Sequence, residues 1–525
     1  MRTLTAALLA MGVPCRGQTP APCSALPGSY CSGGSPLPCP IGSFCTGGAA
    51  PNTPCAPATA CAVPGLSAQP PCYWAVTTLA GRATTGFANG VGTSASFSSA
   101  FNLLVLDNST LLVADEANGA IRSISPAGAV ATVVTGLGNP CSIIADAAGA
   151  LYVTESASPS RVSRVAPGAS SPTAWAGSGA AGSGNGIGTA AQFTGPVQLA
   201  FTPDGASVLV TDFATNTVRS IDVATRAVGT AAGSGAAGGA NGPALAATFS
   251  NPYGLAINAS GAVFISDSAN NNLRLLLGGA VSTYAGGGGA VEGLRTAVAI
   301  TLPRALALDA GGSLIVPSNN RVRAISPGGL VSVLAGSGAA AVVDGWGTAA
   351  SFGAVRGVGV APTGAIYVTD NDGTYVRQLT CLPCPASYYC SSGAPQLCPA
   401  GSACPLSSTS PTPCAAGTWS GAGAASCANC SAGFFAAASN SSGCAPCPSG
   451  HFCPPGTASW ARLNCGRGNY CPEGSAAPTP CPIQAPPAAG WGAGAQGPAF
   501  LVETAACLNH CFRNFSAGTG ALSRC

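Results

Sequence analysis

Four Asp residues in this 525-residue sequence are each followed seven positions later by Arg. The pairs are Asp115/Arg122, Asp212/Arg219, Asp267/Arg274 and Asp370/Arg377. Two further copies are altered. In one, Glu155 replaces Asp and Ser163 lies near the Arg position; in the other, Pro317 replaces Asp and Arg323 follows six residues on. A ring of carboxylates could hold cations. A turn-capping Asp with a cross-strand Arg is the simpler interpretation, because nearly every copy carries the pair. We therefore expect each carboxylate to bind N–H groups of its own turn or its own Arg.

Cysteine is the second residue type that could do chemistry here, as a metal ligand or as a disulfide partner. The 26 cysteines fall mainly into three segments: residues 15–72, 381–481 and 507–525. Only Cys141 lies between the first two, and its alignment with Tyr253 predicts a buried apolar role.

One group of cysteines has two interpretations. Cys427-x2-Cys430 and Cys444-x2-Cys447 are separated by 13 residues, which is the spacing of a zinc ribbon. The same cysteines continue into the C-x5-C motif of 447–453, and a glycosylation sequon lies between the two pairs. We therefore expect disulfides at these positions, with zinc as the alternative.

The elements that position these residues are short apolar runs separated by Gly, Asn, Asp and Pro. The second run of each unit is the clearest, as in LLVAD (111–115), VLVTD (208–212) and VFISD (263–267). Such runs are typical of strands joined by tight turns. Units of four strands recur at about 40–57 residues, which is the spacing of propeller blades. Six units fill residues 73–380, so the sequence predicts an all-β fold containing a six-bladed β-propeller.

The sixth unit ends at Thr380 without a fourth strand of its own. Near the start, AVTTLAG (75–81) matches fourth strands such as VSTYAG (281–286). We expect 75–81 to complete blade six and close the ring, which removes exposed sheet edges.

The segment NPYGLAINASGAVFISDSANNNLRLL (251–276), followed by VSTYAG, resembles the NHL repeat, and the likeness recurs six times over 73–380. Some NHL propellers bind RNA through a basic face. Residues 73–380 carry 13 Arg against 14 Asp and Glu, a net charge of −1. Because phosphate binding needs an excess of positive charge, we expect no nucleic-acid partner.

The resemblance also raises an enzymatic alternative, because related propellers include a metal-dependent amidating lyase and calcium-dependent lactonases or esterases. The lyase type uses histidines, and 73–380 contains none; the two in the chain are His451 and His510. The calcium type needs acids or amides where first strands end, but these residues look like turn residues: Asp107, Asp146, Asn258 and Asp309. We therefore expect no catalytic residue, metal or cofactor.

Connections between the units share a polar-Gly start and a terminal Phe, as in NGIGTAAQF (185–193). We expect the Phe residues to plug the space between neighbouring sheets: Phe97, Phe193, Phe249 and Phe352. The connections emerge on the same face as the Asp turns, because both follow alternate strand ends. A face with long loops is where binding is expected, with Trp346 and Tyr253 as aromatic candidates.

The flanking cysteine motifs share C-x5-C spacing and have too few apolar residues to form a core: 39–45, 384–390, 398–404, 447–453 and 465–471. They resemble the cysteine-rich repeats of ephrin-receptor-like and tumour-necrosis-factor-receptor-like ectodomains. Disulfides, each worth about 2–4 kcal/mol, must then stabilise these segments, which requires an oxidising compartment.

Glycosylation sequons support a secretory route: Asn108, Asn258, Asn429, Asn440 and Asn514. The apolar start favours a signal peptide over 1–21, with an incomplete start of the chain as the alternative. No apolar run is long enough to span a bilayer. The remaining expected segments are cysteine-rich modules at 22–72 and 381–483, a linker at 484–500 and a further cysteine-containing segment at 501–525. The odd cysteine count in 501–525 suggests continuation into a longer membrane-anchored protein, or pairing between chains.

Together these features predict a secreted or cell-surface modular protein. Its propeller would be an interaction platform for an unknown protein or glycan ligand. A metal-dependent propeller enzyme is the alternative.

Overall fold

The computed structural model describes residues 72–481, apart from 158, 371 and 392–393, together with the backbone of four short strands near the start. Those strands are β1 (Ser29–Ser32), β2 (Ser35–Pro38), β3 (Ser43–Phe44) and β4 (Thr53–Pro54). The expected signal peptide, the side chains of the 22–72 module other than Cys72, the linker, the 501–525 segment, His510 and Asn514 lie outside the described residues.

Six antiparallel sheets form the six blades of a β-propeller, which confirms the predicted fold class. The first propeller strand in the chain, β5 (Tyr73–Gly81), belongs to the last blade. Blade one comprises β6 (Gly90–Val91), β7 (Ala100–Val105), β8 (Leu111–Asp115), β9 (Ala120–Ile124) and β10 (Ala129–Val134). Blade two comprises β11 (Pro140–Ala145), β12 (Leu151–Glu155), β13 (Ser160–Val165) and β14 (Thr173–Gly179). Blade three comprises β15 (Gly186–Ile187), β16 (Pro196–Phe201), β17 (Ser207–Asp212), β18 (Thr217–Asp222) and β19 (Ala227–Ala232).

The second half of the ring repeats this plan. Blade four comprises β20 (Gly242–Pro243), β21 (Pro252–Ile257), β22 (Val263–Asp267), β23 (Asn272–Leu277) and β24 (Ala280–Gly286). Blade five comprises β25 (Gly293–Leu294), β26 (Ala307–Leu308), β27 (Leu314–Ser318), β28 (Arg321–Ile325) and β29 (Leu330–Ala335). Blade six comprises β30 (Gly345–Trp346), β31 (Val358–Val360), β32 (Ile366–Asp370) and β33 (Tyr375–Leu382), with β5. Short 3-10 helices follow some strands: Gly92–Ser94, Glu116–Asn118, Gly188–Ala190, Phe213–Thr215, Ser268–Asn270 and Gly347–Ala349.

The core lies between neighbouring blades. Second strands such as β8 and β22 are buried at every position, whereas outer strands such as β10 alternate between buried and exposed residues. A strand covered on both faces reads as a continuous apolar run, which is why these strands are the clearest in the sequence. The four Phe plugs are fully buried, as expected, and Phe97 packs against side chains of blades one and six.

The ring closes through its two chain ends. Strand β5 pairs with β33 in antiparallel register from Tyr73 opposite Leu382 to Gly81 opposite Tyr375. A disulfide between Cys72 and Cys381 joins the outer ends of these strands across 309 residues of sequence. The residue that carries the chain into the propeller is therefore covalently bound to the residue that carries it out.

The cysteine-rich segment is a series of two-stranded hairpins held by disulfides. Its strands are β34 (Tyr388–Tyr389), β35 (Gln396–Leu397), β36 (Ser402–Ala403), β37 (Thr412–Pro413), β38 (Thr418–Trp419), β39 (Ala428–Asn429), β40 (Phe434–Phe435), β41 (Ala445–Pro446), β42 (Asn469–Tyr470) and β43 (Thr479–Pro480). Consecutive modules are joined by backbone hydrogen bonds such as Gly433 N–H to Cys453 C=O, at 2.8 Å. Gly433 has φ +87°, and a Cβ there would collide with the carbonyl oxygen of Gly474, so this junction requires glycine.

The first module also contacts the propeller. The Tyr73 hydroxyl in β5 donates a hydrogen bond to the Cys390 carbonyl at 2.5 Å. Cys390 forms a disulfide with Cys384, so the contact is made to a rigid part of the module. Within the described part of the chain, no helix has the length and apolar character needed to cross a bilayer.

Replacing Cys72 and Cys381 together by Ser should destabilise the propeller, because the unfolded chain is then free of a closure spanning 309 residues. We expect a loss of about 2–5 kcal/mol, measured by thermal unfolding and by faster hydrogen exchange of β5 amides. The control is Cys398→Ser with Cys404→Ser, which opens a closure of only six residues inside a module. Equal losses of propeller stability in both variants would contradict the closure argument.

Candidate functional site

All four sequence-predicted Asp–Arg pairs are ion pairs whose side chains are fully buried. The distances from Arg Nη1 to Asp Oδ2 are 2.9 Å for Asp115/Arg122, 3.5 Å for Asp212/Arg219, 2.8 Å for Asp267/Arg274 and 2.9 Å for Asp370/Arg377. Each Asp is the last residue of its second strand, and each Arg lies in the third strand of the same blade.

The backbone donor to each Asp differs from the one expected. Oδ1 of Asp115 accepts from the Ser98 N–H at 2.8 Å, rather than from its own turn. The donors in the other three blades occupy the same position, directly after the Phe plug: Thr194, Ser250 and Gly353. The carboxylate therefore holds the connection that enters its blade. This contact joins residues about 17 positions apart, which the local turn interpretation could not reveal.

Each Arg completes the same cluster. The Arg122 guanidinium carbon lies 5.4 Å from the centre of the Phe97 ring, and its Nη2 donates to Asn89 Oδ1 at 2.7 Å. The equivalent Phe contacts measure 5.2 Å for Arg219, 5.4 Å for Arg274 and 5.5 Å for Arg377. The side chains equivalent to Asn89 are Asn185, Asn241 and Asp344. These Asn and Asp residues are the polar residues of the recurring polar-Gly start of the connections, which is where the sequence marked them.

Blade two departs from this plan. Glu155 pairs with Arg161, whose Nε lies 2.8 Å from Oε1, and Ser163 occupies the Arg position and donates its hydroxyl to the same carboxylate. The acid is therefore kept in blade two, while the arginine has moved.

In blade five the sequence alignment was wrong by one residue. Arg323 lies opposite Val316, so Ser318 occupies the Asp position and Pro317 does not. Arg323 Nη1 donates to Ser318 Oγ at 2.8 Å. Burial lowers the pKa of Arg323, and no described carboxylate lies within ion-pair distance of it.

These carboxylates therefore face blade connections, and they do not line the central axis. Among the described residues, no group of three or more His, Cys, Asp or Glu side chains could hold a metal ion. The zinc-ribbon cysteines are placed in separate disulfides: Cys414–Cys427, Cys430–Cys444 and Cys447–Cys453. The thiolates that zinc would need are thus already bonded in pairs.

The channel along the axis is bridged by Gln198 from blade three. Its Nε2 donates to the Leu306 carbonyl at 2.9 Å, and its Oε1 accepts from the N–H groups of Leu255 and Leu306 at 3.2 and 3.1 Å. The amide thereby links blades three, four and five.

The acids considered for calcium binding lie in turns. Asp146 Oδ1 accepts from the Ala150 N–H at 2.8 Å, Asp309 Oδ1 from Ser313 at 2.7 Å, and Asn258 Oδ1 from Ala262 at 2.9 Å. Asp107 is exposed in the corresponding turn. These turns follow the first strands and are at the opposite end of the ring from the Asp–Arg clusters.

One ring of side chains does not follow the repeat and has five residue types in its six positions. In blade one, Ala100 of the innermost strand pairs with Asp115, and the next residue, Phe101, belongs to this ring. The equivalent residues of all six blades are Phe101, Cys141, Val197, Tyr253, Arg304 and Arg356. Phe101 and Tyr253 stack with ring centres 5.5 Å apart and an interplanar angle of 13°. They come from blades one and four, which lie opposite each other, so they can meet only at the axis. We call this ring the channel mouth.

Two arginines cover the aromatic rings of the channel mouth. The Arg304 guanidinium carbon lies 5.0 Å from the centre of the Tyr253 ring, and that of Arg356 lies 5.5 Å from Phe101. Arg356 is neutralised, since its Nη2 lies 3.1 Å from Asp372 Oδ1 and its Nη1 lies 3.7 Å from Glu116 Oε2. Arg304 forms no ion pair with any described carboxylate.

Two polar groups are buried beneath these arginines. The Tyr253 hydroxyl has no hydrogen-bond partner among the described residues, and burial raises its pKa well above the usual value. Burial also raises the pKa of the Cys141 thiol to about 12. The thiol is therefore protonated at neutral pH and is not a nucleophile. The sequence suggested Tyr253 as a candidate but gave no sign of Arg304 or Arg356.

The remaining candidates lie away from the channel mouth. Trp346 is in the outermost strand of blade six, opposite Ala75. His451 packs edge-on against Trp460, with ring centres 4.6 Å apart. The sequon residues Asn108, Asn429 and Asn440 are exposed, whereas Asn258 is half-buried.

No model of a known protein family and no curated protein matches this chain. Similar solved structures include a structural-genomics protein of unknown function from Bacteroides thetaiotaomicron, with 19% identity, 59% of this chain and 76% of that chain covered, and a TM-score of 0.49. An auxiliary nutrient binding protein from Bacteroides ovatus has 15% identity, 59% and 77% coverage, and a TM-score of 0.47. A gluconolactonase from Xanthomonas campestris has 14% identity, 59% and 97% coverage, and a TM-score of 0.40. At these identities and TM-scores, the similarities carry no argument about function.

The Asp–Arg clusters should differ in their contribution to stability. Asp115→Asn breaks a well-formed buried ion pair and should cost about 3–5 kcal/mol. Asp212→Asn should cost less, because Asp212 Oδ2 has no hydrogen-bond partner and burial raises the pKa of this carboxyl to about 6. The two variants are compared by urea unfolding at pH 7.

The same carboxyl predicts a pH dependence. Because its pKa is higher in the fold than in the unfolded chain, the folded state binds the proton more tightly. The contribution of Asp212 to stability is thus full below about pH 4 and lost as the pH rises through about 6. When the pH is lowered from 7 to 5, the urea midpoint of the wild type should rise relative to the midpoint of Asp212→Asn. Parallel pH profiles would contradict this assignment.

Cys141 should be inert in the folded protein. We expect no alkylation by iodoacetamide at pH 8, because the thiol is 1% exposed and its pKa is raised to about 12. Peptide mapping should show modification of Cys141 only after denaturation. Rapid labelling in the native state would show that the channel mouth opens.

Proposed function

We propose that this chain is a secreted or cell-surface binding protein, with the propeller as its ligand platform and the cysteine-rich modules as rigid spacers. The ligand is an extracellular protein or glycan, and it docks on the face that carries the channel mouth. The resemblances to NHL repeats and to ephrin-receptor-like modules support this modular arrangement. The disulfides described here fit an oxidising compartment.

The observation that carries the proposal is the contrast between repeated and unrepeated positions. The Asp, Arg and Phe of the buried clusters recur from blade to blade, as expected of side chains that hold the fold. The six positions of the channel mouth carry five different residue types, and one of its two arginines has no ionic partner among the described residues. A surface whose residues do not repeat from blade to blade is suited to recognising one particular ligand.

Several features favour binding over catalysis. The Gln198 amide is committed to three hydrogen bonds that link blades three, four and five. The acids expected of a calcium site accept hydrogen bonds from their own turns, and the thiol at the channel mouth is held protonated by burial. The described residues thus offer a face for contact without an activated nucleophile, and the two carboxylates beside it, Glu116 and Asp372, are paired with Arg356.

A single substitution can test which face binds. Asp372→Asn creates an N-G-T sequon beside the channel mouth, at a residue whose side chain is 74% exposed and whose φ is +54°. Asn tolerates this left-handed conformation, so the turn should be preserved. The full chain, secreted from a glycosylating host, is screened on arrays of glycans and extracellular ectodomains. We expect the added glycan to reduce ligand binding at least about tenfold by steric blockage.

The natural sequon at Asn108 provides the matched control, because it is exposed in a turn at the opposite end of the ring. Asn108→Gln should leave binding unchanged, and enzymatic hydrolysis of the glycosylated amide at position 372, which releases the glycan and regenerates the wild-type Asp, should restore it. Binding that survives glycosylation at 372 would show that the ligand docks elsewhere on the molecule.

A further inference from the structure

The channel mouth contains two polar groups that lack a hydrogen-bond or ion-pair partner among the described residues. The Arg304 guanidinium lies over the Tyr253 ring and forms no ion pair or hydrogen bond with another described residue. The Tyr253 hydroxyl is buried without a partner. A buried hydroxyl without a partner costs stability, so a purely structural site would favour Phe at this position.

We propose that Arg304 and Tyr253 form a subsite for the carboxylate of an acidic saccharide. The inference rests on the proposed function and names the ligand chemistry of that face. Two N–H groups of the planar Arg304 guanidinium can donate hydrogen bonds to the two oxygens of one carboxylate. When the guanidinium moves from the Tyr253 ring to the ligand, it uncovers the hydroxyl, which can then donate to a ligand oxygen.

The charges around the site favour a group with a single negative charge. Arg304 and Arg356 supply two positive charges, and Glu116 and Asp372 supply two negative ones. Arg356 is already shared between both acids, at 3.7 and 3.1 Å. One carboxylate would pair with Arg304, whereas a phosphate dianion would bring a second, uncompensated charge close to Glu116 and Asp372.

The neighbouring acceptors favour a saccharide as the carrier of that carboxylate. Asp372 is largely exposed and lies 3.1 Å from Arg356, and its carboxylate can accept hydrogen bonds from ligand hydroxyl groups. A uronic acid presents a carboxylate and several hydroxyl donors on one ring, so it can address Arg304 and Asp372 together. A simple peptide carboxylate lacks this set of hydroxyl donors.

The test uses the full secreted chain and isothermal titration with glucuronate. Glucose, N-acetylglycine and inorganic phosphate are the comparison probes. We expect glucuronate to bind at least about tenfold more tightly than any of the three. Arg304→Gln should weaken glucuronate binding about tenfold or more. Tyr253→Phe should weaken it about threefold or more while leaving the thermal midpoint equal to or above that of the wild type.

The chain offers a matched control for the arginine. Arg295 also lies over a tyrosine, 4.7 Å from the Tyr284 ring, but in the connection of blade five. Arg295→Gln should leave glucuronate binding unchanged. Equal losses from both arginine variants, or no binding of glucuronate, would overturn the subsite. Equal binding of N-acetylglycine or phosphate would overturn its assignment to an acidic saccharide.

These outcomes are separable from the test of the docking face. If the glycan at position 372 blocks array binding but glucuronate does not bind, the proposed docking face is supported and the acidic-saccharide subsite is contradicted. If glucuronate binds through Arg304 but the glycan does not affect array binding, the subsite is supported and the proposed docking face for the larger ligand is contradicted.

Discussion

The propeller depends on a buried guanidinium held between a carboxylate and an aromatic ring. In blade one, Arg122 pairs with Asp115, lies over Phe97 and reaches the connection at Asn89. Desolvating two charges is costly, and the cost is offset only when the remaining donors and acceptors are also satisfied. The cluster meets this condition by recruiting backbone and side-chain groups of the connection, so that entry into a blade, its second strand and its third strand are fixed together.

The departures from this cluster show which parts of it are needed. Blade two keeps an acid and takes Arg161 from a different position, and its connection adds no outer strand. Blade five keeps the buried Arg323 but has Ser318 and Ile300 in place of the acid and the Phe. A ring of packed blades tolerates such exceptions because each blade is also held by apolar side chains on both faces, and because the disulfide and strand pairing at its ends close the whole circle.

Under the proposed function, ligand binding and stability depend on two different sets of positions. The buried clusters repeat because every blade must solve the same packing problem. The channel mouth has no such constraint, because it lies near the axis, where Phe101 of blade one meets Tyr253 of the opposite blade four. Aromatic stacking of Phe101 on Tyr253 fills the centre, and the arginines above the rings provide the charged surface. A rigid repetitive frame can thus carry a surface that has no repeat.

Much of the architecture could be predicted from the sequence because strand periodicity, turn residues and cysteine spacing are local signals. The six blades, the matching strand at 75–81, the Asp–Arg pairs and the Phe plugs are all visible as recurring letters. Recurrence could not reveal contacts between residues distant in sequence, such as Ser98 N–H to Asp115 or Gln198 across three blades. Nor could it align blade five correctly, since a shorter turn moved Ser318 into the Asp position. The channel mouth was decided by tertiary structure alone, because its six residues share no pattern and are brought together only by closure of the ring.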